Sequence, residues 1–163
     1  MSLAHLSSPP ETRGPPRGER PGPGTAAPPW RLNILLVDDD PADICLITGA
    51  LALHPSVASV RAVDEPVLAL RQLLVGYKQP DLVLLDIHMP RIDGFEFLVG
   101  LRRIPGMFSV PVVFLTTSGL DQDVLNYRRS TASMYVEKPD TFGEIQTRMD
   151  GIVRRTIAGV WNE

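Results

Sequence analysis

At 163 residues and 44% hydrophobic content, the chain is long enough for one compact domain with a proper core and too short for two comfortable ones. A formal net charge of only −3 excludes a whole-chain electrostatic footprint for nucleic acid or for an anionic membrane. Cys45 is the single cysteine, which excludes a disulfide framework and a cysteine-rich zinc site and is expected to be a small buried hydrophobe.

The start, MSLAHLSSPPETRG, lacks a basic segment followed by an apolar run, and nowhere does an apolar stretch approach bilayer length. A soluble, unexported, cytoplasmic protein is the expectation. Residues 1–29 are dominated by Pro, Gly, Ser and Arg, as in SSPPETRGPPRGERPGPGTAAPP. With few large apolar side chains to bury, they are expected to form a disordered or polyproline-like extension carrying no site. The folded domain is placed at residues 30–160.

From Trp30 onward short apolar bursts alternate with stretches of helical spacing. Strands are predicted at Leu32–Val37, Val57–Val63, Leu82–Leu85, Val112–Leu115 and Ser133–Val136, and helices at Pro41–Leu53, Pro66–Val75, Gly94–Arg103, Gln122–Arg129 and Phe142–Ile157. Strict alternation calls for right-handed crossovers and a doubly wound parallel sheet between two helical layers, an α/β three-layer sandwich. In such sheets ligands bind outside the carboxyl ends of the strands, where the strand order reverses.

Those ends are acidic. The first strand runs into Asp38, Asp39 and Asp40, and the third into Asp86. Like charges held close raise one another's pKa, and a hard divalent ion with oxygen ligands relieves them; magnesium fits because it takes few protein carboxylates and keeps positions for water and phosphate oxygens. Asp40, directly before Pro41, is better read as a helix N-cap than as part of the site. The fourth strand ends in Thr116, Thr117 and Ser118, and the fifth in Tyr-Val-Glu-Lys-Pro with Lys138 at its end. Carboxylates, hydroxyl and ammonium on one edge describe a phosphoryl site, in which an aspartate attacks phosphorus while metal and lysine neutralise the transferred oxygens.

In order and composition these segments resemble the receiver domains of two-component response regulators, over about Trp30 to Ile157. LLVDDDP resembles the family's magnesium-binding acid pair and implies that role for Asp38 and Asp39. LLDIHMPRIDGFEFL resembles the acceptor strand and its loop, implying Asp86 as phosphoacceptor and metal ligand and the backbone carbonyl of His88 as a further ligand. VVFLTTS and YVEKP resemble the strands bearing the switch hydroxyl, the switch aromatic and the lysine, implying Thr116, Tyr135 and Lys138. The resemblance further implies the flavodoxin-like strand order 2-1-3-4-5, Mg2+ as cofactor, and a switch in which Thr116 moves toward the phosphoryl group and Tyr135 turns into the vacated space.

Two departures stand out. His88 occupies a place where an amide or a small residue is common, and RRSTASMY lacks the glycine usual after the fourth helix. No room for a DNA-binding module follows the last helix, so output is expected by protein contact, either with a downstream target or through a histidine phosphotransfer protein. The segments D-D-D-P-A-D and L-T-T-S resemble small receivers that work with phytochrome-type histidine kinases, which implies a sensor kinase as partner and a homodimer as a further state. Ile145, Met149, Ile152, Val153 and Ile157 offer an apolar helix face either to a second copy or to the sheet.

The pairs Arg102-Arg103, Arg128-Arg129 and Arg154-Arg155 lie on separate helices without interleaved aromatics, as solvated faces do, so no nucleic-acid partner is expected. A magnesium-dependent phosphatase with an aspartate nucleophile is the rival from another class. It would carry a second aspartate two residues beyond the nucleophile, where this chain has His88. A degenerate receiver serving only as a binding module is the third reading, and the full set of site residues weighs against it.

Overall fold

The computed structural model describes residues 31–117 and 130–161. In chain order these form β1 (Leu32–Val37), α1 (Pro41–Ala52), β2 (Val57–Val63), α2 (Pro66–Leu74), β3 (Leu82–Asp86), α3 (Gly94–Arg102), β4 (Val112–Thr116), β5 (Met134–Glu137) and α4 (Phe142–Ala158). The helix predicted at Gln122–Arg129 lies outside the described residues, as does the extension before Arg31. All four strand pairings are parallel, in the order β2-β1-β3-β4-β5, which is the predicted order.

Burial on both faces explains the near-continuous apolar strands. Every residue of β3 and β4 is buried. Alternation along the strands then sorts side chains between two layers. Leu35, Val37, Val83, Leu85 and Phe114 pack with Ala69, Leu73, Phe97 and Leu101 from α2 and α3. On the opposite face Ile34, Leu36, Leu84 and Val113 pack with Ile47 and Leu51 from α1 and with Ile145, Met149, Ile152 and Val153 from α4. The apolar stripe of the last helix is therefore spent on the sheet, with Ile157 partly buried beside it.

Side-chain caps set the helix starts. Asp40 accepts from the Ala42 N–H ahead of α1, with Pro41 at the first helical position. Asp93 and Glu96 form a reciprocal capping box at α3, and Thr141 caps α4.

Three sequence expectations need correction or refinement. Cys45 is exposed, because the buried stripe of α1 runs through Ile47, Ala50 and Leu51 and Cys45 falls off it. Arg102 is no solvated partner of Arg103: its guanidinium donates to the carbonyls of Met107, Val110 and Thr131 and to the Thr131 hydroxyl, tying the end of α3 to the approaches of β4 and β5. No residue from Ser130 to Ser133 has positive φ, so the missing glycine costs nothing in that stretch of backbone.

Gly94 fixes the start of α3 against the end of β3. Its N–H donates to the Ile87 carbonyl at 2.8 Å, and a Cβ there would lie 2.5 Å from the Asp86 carbonyl oxygen and 3.0 Å from the Ile87 Cα. Backbone atoms of a central strand cannot yield as a flexible side chain would. Gly94→Ala is expected to cost about 1–3 kcal/mol, seen in urea unfolding as a lower midpoint at unchanged slope; a midpoint equal to wild type would show that the helix start relaxes freely.

Candidate functional site

Because β1 lies between β2 and β3, the chain leaves β1 in one direction and returns on its other side, and the crevice opens where these paths part. Asp38 follows the last residue of β1, Asp86 is the last of β3, Thr116 the last of β4, and Lys138 follows β5. The parallel register pairs Val37 with Leu85, Asp86 with Leu115 and Thr116 with Glu137, so these strands end nearly level. The Lys138 N–H donates to the Thr116 carbonyl at 2.7 Å, which carries the lysine side chain back over the sheet edge.

There its ammonium meets three carboxylates: Asp38 Oδ2 at 2.7 Å, Asp43 Oδ2 at 2.7 Å and Asp86 Oδ1 at 2.8 Å. Asp38, Asp86 and Thr116 are buried, and Asp39 stands exposed beside them. Asp38, Asp39 and Asp86 each offer a carboxylate oxygen, all within 4.8 Å of one another. The other Asp38 oxygen accepts from the Asp40 N–H at 3.0 Å, which holds the carboxylate in place.

Burial is the main influence on both buried acids and raises their pKa values, against the hydrogen bonds and charge of Lys138. Asp39 raises Asp86 further, while His88 opposes it. For Lys138 burial works the other way, but its pairing with the carboxylates of Asp38, Asp43 and Asp86 outweighs it and holds the ammonium above the usual lysine range. These directions agree physically: one ammonium shared by three carboxylates is itself well stabilised, yet does not offset the desolvation of each acid. With Asp39 included, four carboxylates face one cation, and an oxygen-seeking divalent ion is the chemistry that such an excess fits.

His88 is an exposed loop residue, and Tyr135 on β5 is half-buried, paired in register with Phe114 and packed on the α2–α3 face of the core. The loop after β3 contains Arg91 at φ 73°, the one positive-φ residue other than glycine among the described residues. Its side chain reaches Glu65, the cap of α2, at 3.2 Å. Asp43 is the site residue that sequence reasoning missed. The signal was present: the Asp40 cap and Pro41 fix the helix start, which sets Asp43 in the first turn of α1.

The raised pKa of Asp86 means that the folded state holds its proton more tightly than the unfolded chain does. Its contribution therefore favours folding in acid and is lost as pH rises above the ordinary aspartate range, while the Lys138 contribution persists at neutral pH. Asp86→Asn keeps an acceptor for Lys138 without the charge. In metal-free protein it is expected to raise unfolding free energy at pH 7, a gain that shrinks as pH falls toward 4. Urea titrations across that range check it, and a loss of stability at pH 7 would show that the pairing with Lys138 outweighs burial.

Residues 34–150 match the model of the response regulator receiver domain. The DNA-binding dual master transcriptional regulator RpaA of Synechocystis is 34% identical over 126 residues, covering 76% of this chain and 50% of that protein, so the chain spans about half the length of this relative. Among solved structures, the phosphorylated cyanobacterial phytochrome response regulator RcpA superposes with a TM-score of 0.71 at 28% identity, covering 80% of this chain and 96% of that one. The Mn2+-bound response regulator Rcp1 follows at 0.66 and 28%, covering 74% and 91%. With the strand order, the acidic crevice and the matched residues in agreement, the chain belongs to the receiver domain family of two-component response regulators.

Proposed function

We propose that Asp86 accepts a phosphoryl group from a sensor histidine kinase, that Asp38, Asp39, Asp86 and the His88 carbonyl hold Mg2+, and that the resulting switch signals by protein contact. One observation carries the reading: the Lys138 ammonium bridges Asp38 and Asp86 at the crevice edge, beside three carboxylates whose oxygens gather within 4.8 Å. An Asp86 oxygen attacks the phosphorus of a phosphohistidine, the P–N bond breaks with its electron pair left on the imidazole, and that nitrogen takes up a proton. Bound magnesium would neutralise charge on the entering phosphoryl oxygens. Lys138, at the end of β5 on the same sheet edge, supplies a second positive charge.

Burial matters to this chemistry. Lys138 has only 8% of its side chain exposed, so its charge acts through a less screened medium than water. Thr116, wholly buried on the neighbouring strand, is the hydroxyl suited to follow the phosphoryl group. Tyr135, half-buried at the α2–α3 face, is the side chain that would change its packing in response. The added charge then biases a two-state element, which alters a partner's affinity. The likeness to RcpA supports a phytochrome-type kinase as donor. We assign the switching domain to residues 30–160 and no role to residues 1–29.

Two outcomes are expected. With phosphoramidate and magnesium, wild type acquires one acid-stable, hydroxylamine-labile phosphoryl group that Asp86→Asn does not; equal labelling of the variant would move the acceptor elsewhere. Magnesium at 100 times its dissociation constant raises wild-type stability by about 2.7 kcal/mol, whereas Asp38→Asn with Asp39→Asn loses most of that gain. A thermal shift equal in both proteins would remove the acid pair from the metal site.

A further inference from the structure

Asp43 has no part in the acceptor, metal or switch roles proposed above, yet it makes one of the shortest ion pairs of the site, 2.7 Å from the Lys138 ammonium. A lysine ammonium carries three protons and no more. Two of them go to Asp38 and Asp43, and the ammonium also lies 2.8 Å from Asp86 Oδ1, so before phosphorylation Lys138 is already engaged by three carboxylates. A phosphoryl oxygen has to compete with them for the ammonium. Asp86 becomes the acyl phosphate itself and Asp38 faces the metal position, which leaves Asp43 as the partner that keeps competing for the ammonium.

The surroundings limit where Lys138 can go. Its side chain is 8% exposed, and beside it lies a cavity of only about 20 Å3 lined by Asp43, Ile47, Leu115, Val136, Lys138 and Ile145, space for one water at most. The lysine therefore does not swing into solvent but shifts between Asp43 on α1 and the crevice. Asp43 is rooted in the first turn of α1, behind the Asp40 cap and Pro41, so its position is firm.

We propose that Asp43 is a counter-charge latch on Lys138: it holds the ammonium toward α1, preserving the metal site's negative potential, and competes with the phosphoryl group for it. This rests on the reading of Asp86 as acceptor. Two opposite consequences follow when the charge is removed. Lys138 then presses its full charge on Asp38 and Asp86, which weakens magnesium binding, and it is no longer held back from phosphoryl oxygens, which strengthens their binding once magnesium is saturating.

The test compares wild type with Asp43→Asn, which retains a hydrogen-bond acceptor, by calorimetric titration of magnesium alone and then of beryllofluoride at saturating magnesium. The substitution is expected to weaken magnesium and tighten beryllofluoride, each by about 3- to 10-fold, as loss of a nearby unit charge gives at dielectrics between protein and water. Asp43→Glu is expected to return both values toward wild type, and with Lys138→Met in the background the Asp43→Asn effect on beryllofluoride should vanish. A structural role alone would weaken both ligands together, and that result overturns the latch, as do unchanged affinities. If wild type binds neither ligand, it is the acceptor-site reading that fails.

Discussion

One ammonium among too many carboxylates governs this domain's active edge. Lys138 contacts Asp38, Asp43 and Asp86 at 2.7–2.8 Å, and the acids remain electrostatically unsatisfied because two of them are buried. Burying ionised groups costs several kcal/mol each unless charges and hydrogen bonds compensate. The protein thus keeps a standing excess of negative potential at one point. That excess favours binding of a divalent cation.

Such a cluster survives because the rest of the fold is conventionally stable. β3 and β4 are buried throughout, and the two helical layers fill both faces of the sheet with Leu, Ile, Val and Phe. The constrained positions gather at the crevice: Gly94, where a Cβ would meet the Asp86 carbonyl, and Arg91 at positive φ. Both lie in or beside the loop that leaves β3. Strain held there by surrounding packing is of the kind that rigid scaffolds impose on functional loops. The ion pair from Arg91 to Glu65 links that loop to α2, on the face opposite α1.

Much of this was legible in the chain. Apolar bursts placed β1 with the observed bounds, and β3 and β4 within one residue at their ends, since a strand buried on both faces leaves an unmistakable run. Asp40 before Pro41 announced a cap and became one. Other positions could not be read. The environment of Cys45 depended on a rotation of α1 that only packing decides, and Arg102 looked like any basic pair until the carbonyls of Met107, Val110 and Thr131 came within reach of its guanidinium.

By itself the sequence determined the alternation of strands and helices, hence the sheet, and the residue types at the strand ends, hence the chemistry of an acidic crevice answered by lysine and threonine. Local pattern suffices for this because strand burial and cap geometry are properties of neighbouring residues. Only the tertiary structure decided that Lys138 meets Asp43, 95 residues away, as well as Asp38 and Asp86. Which charges share a proton donor depends on distances set by strand register and helix docking, and a linear pattern does not contain those distances.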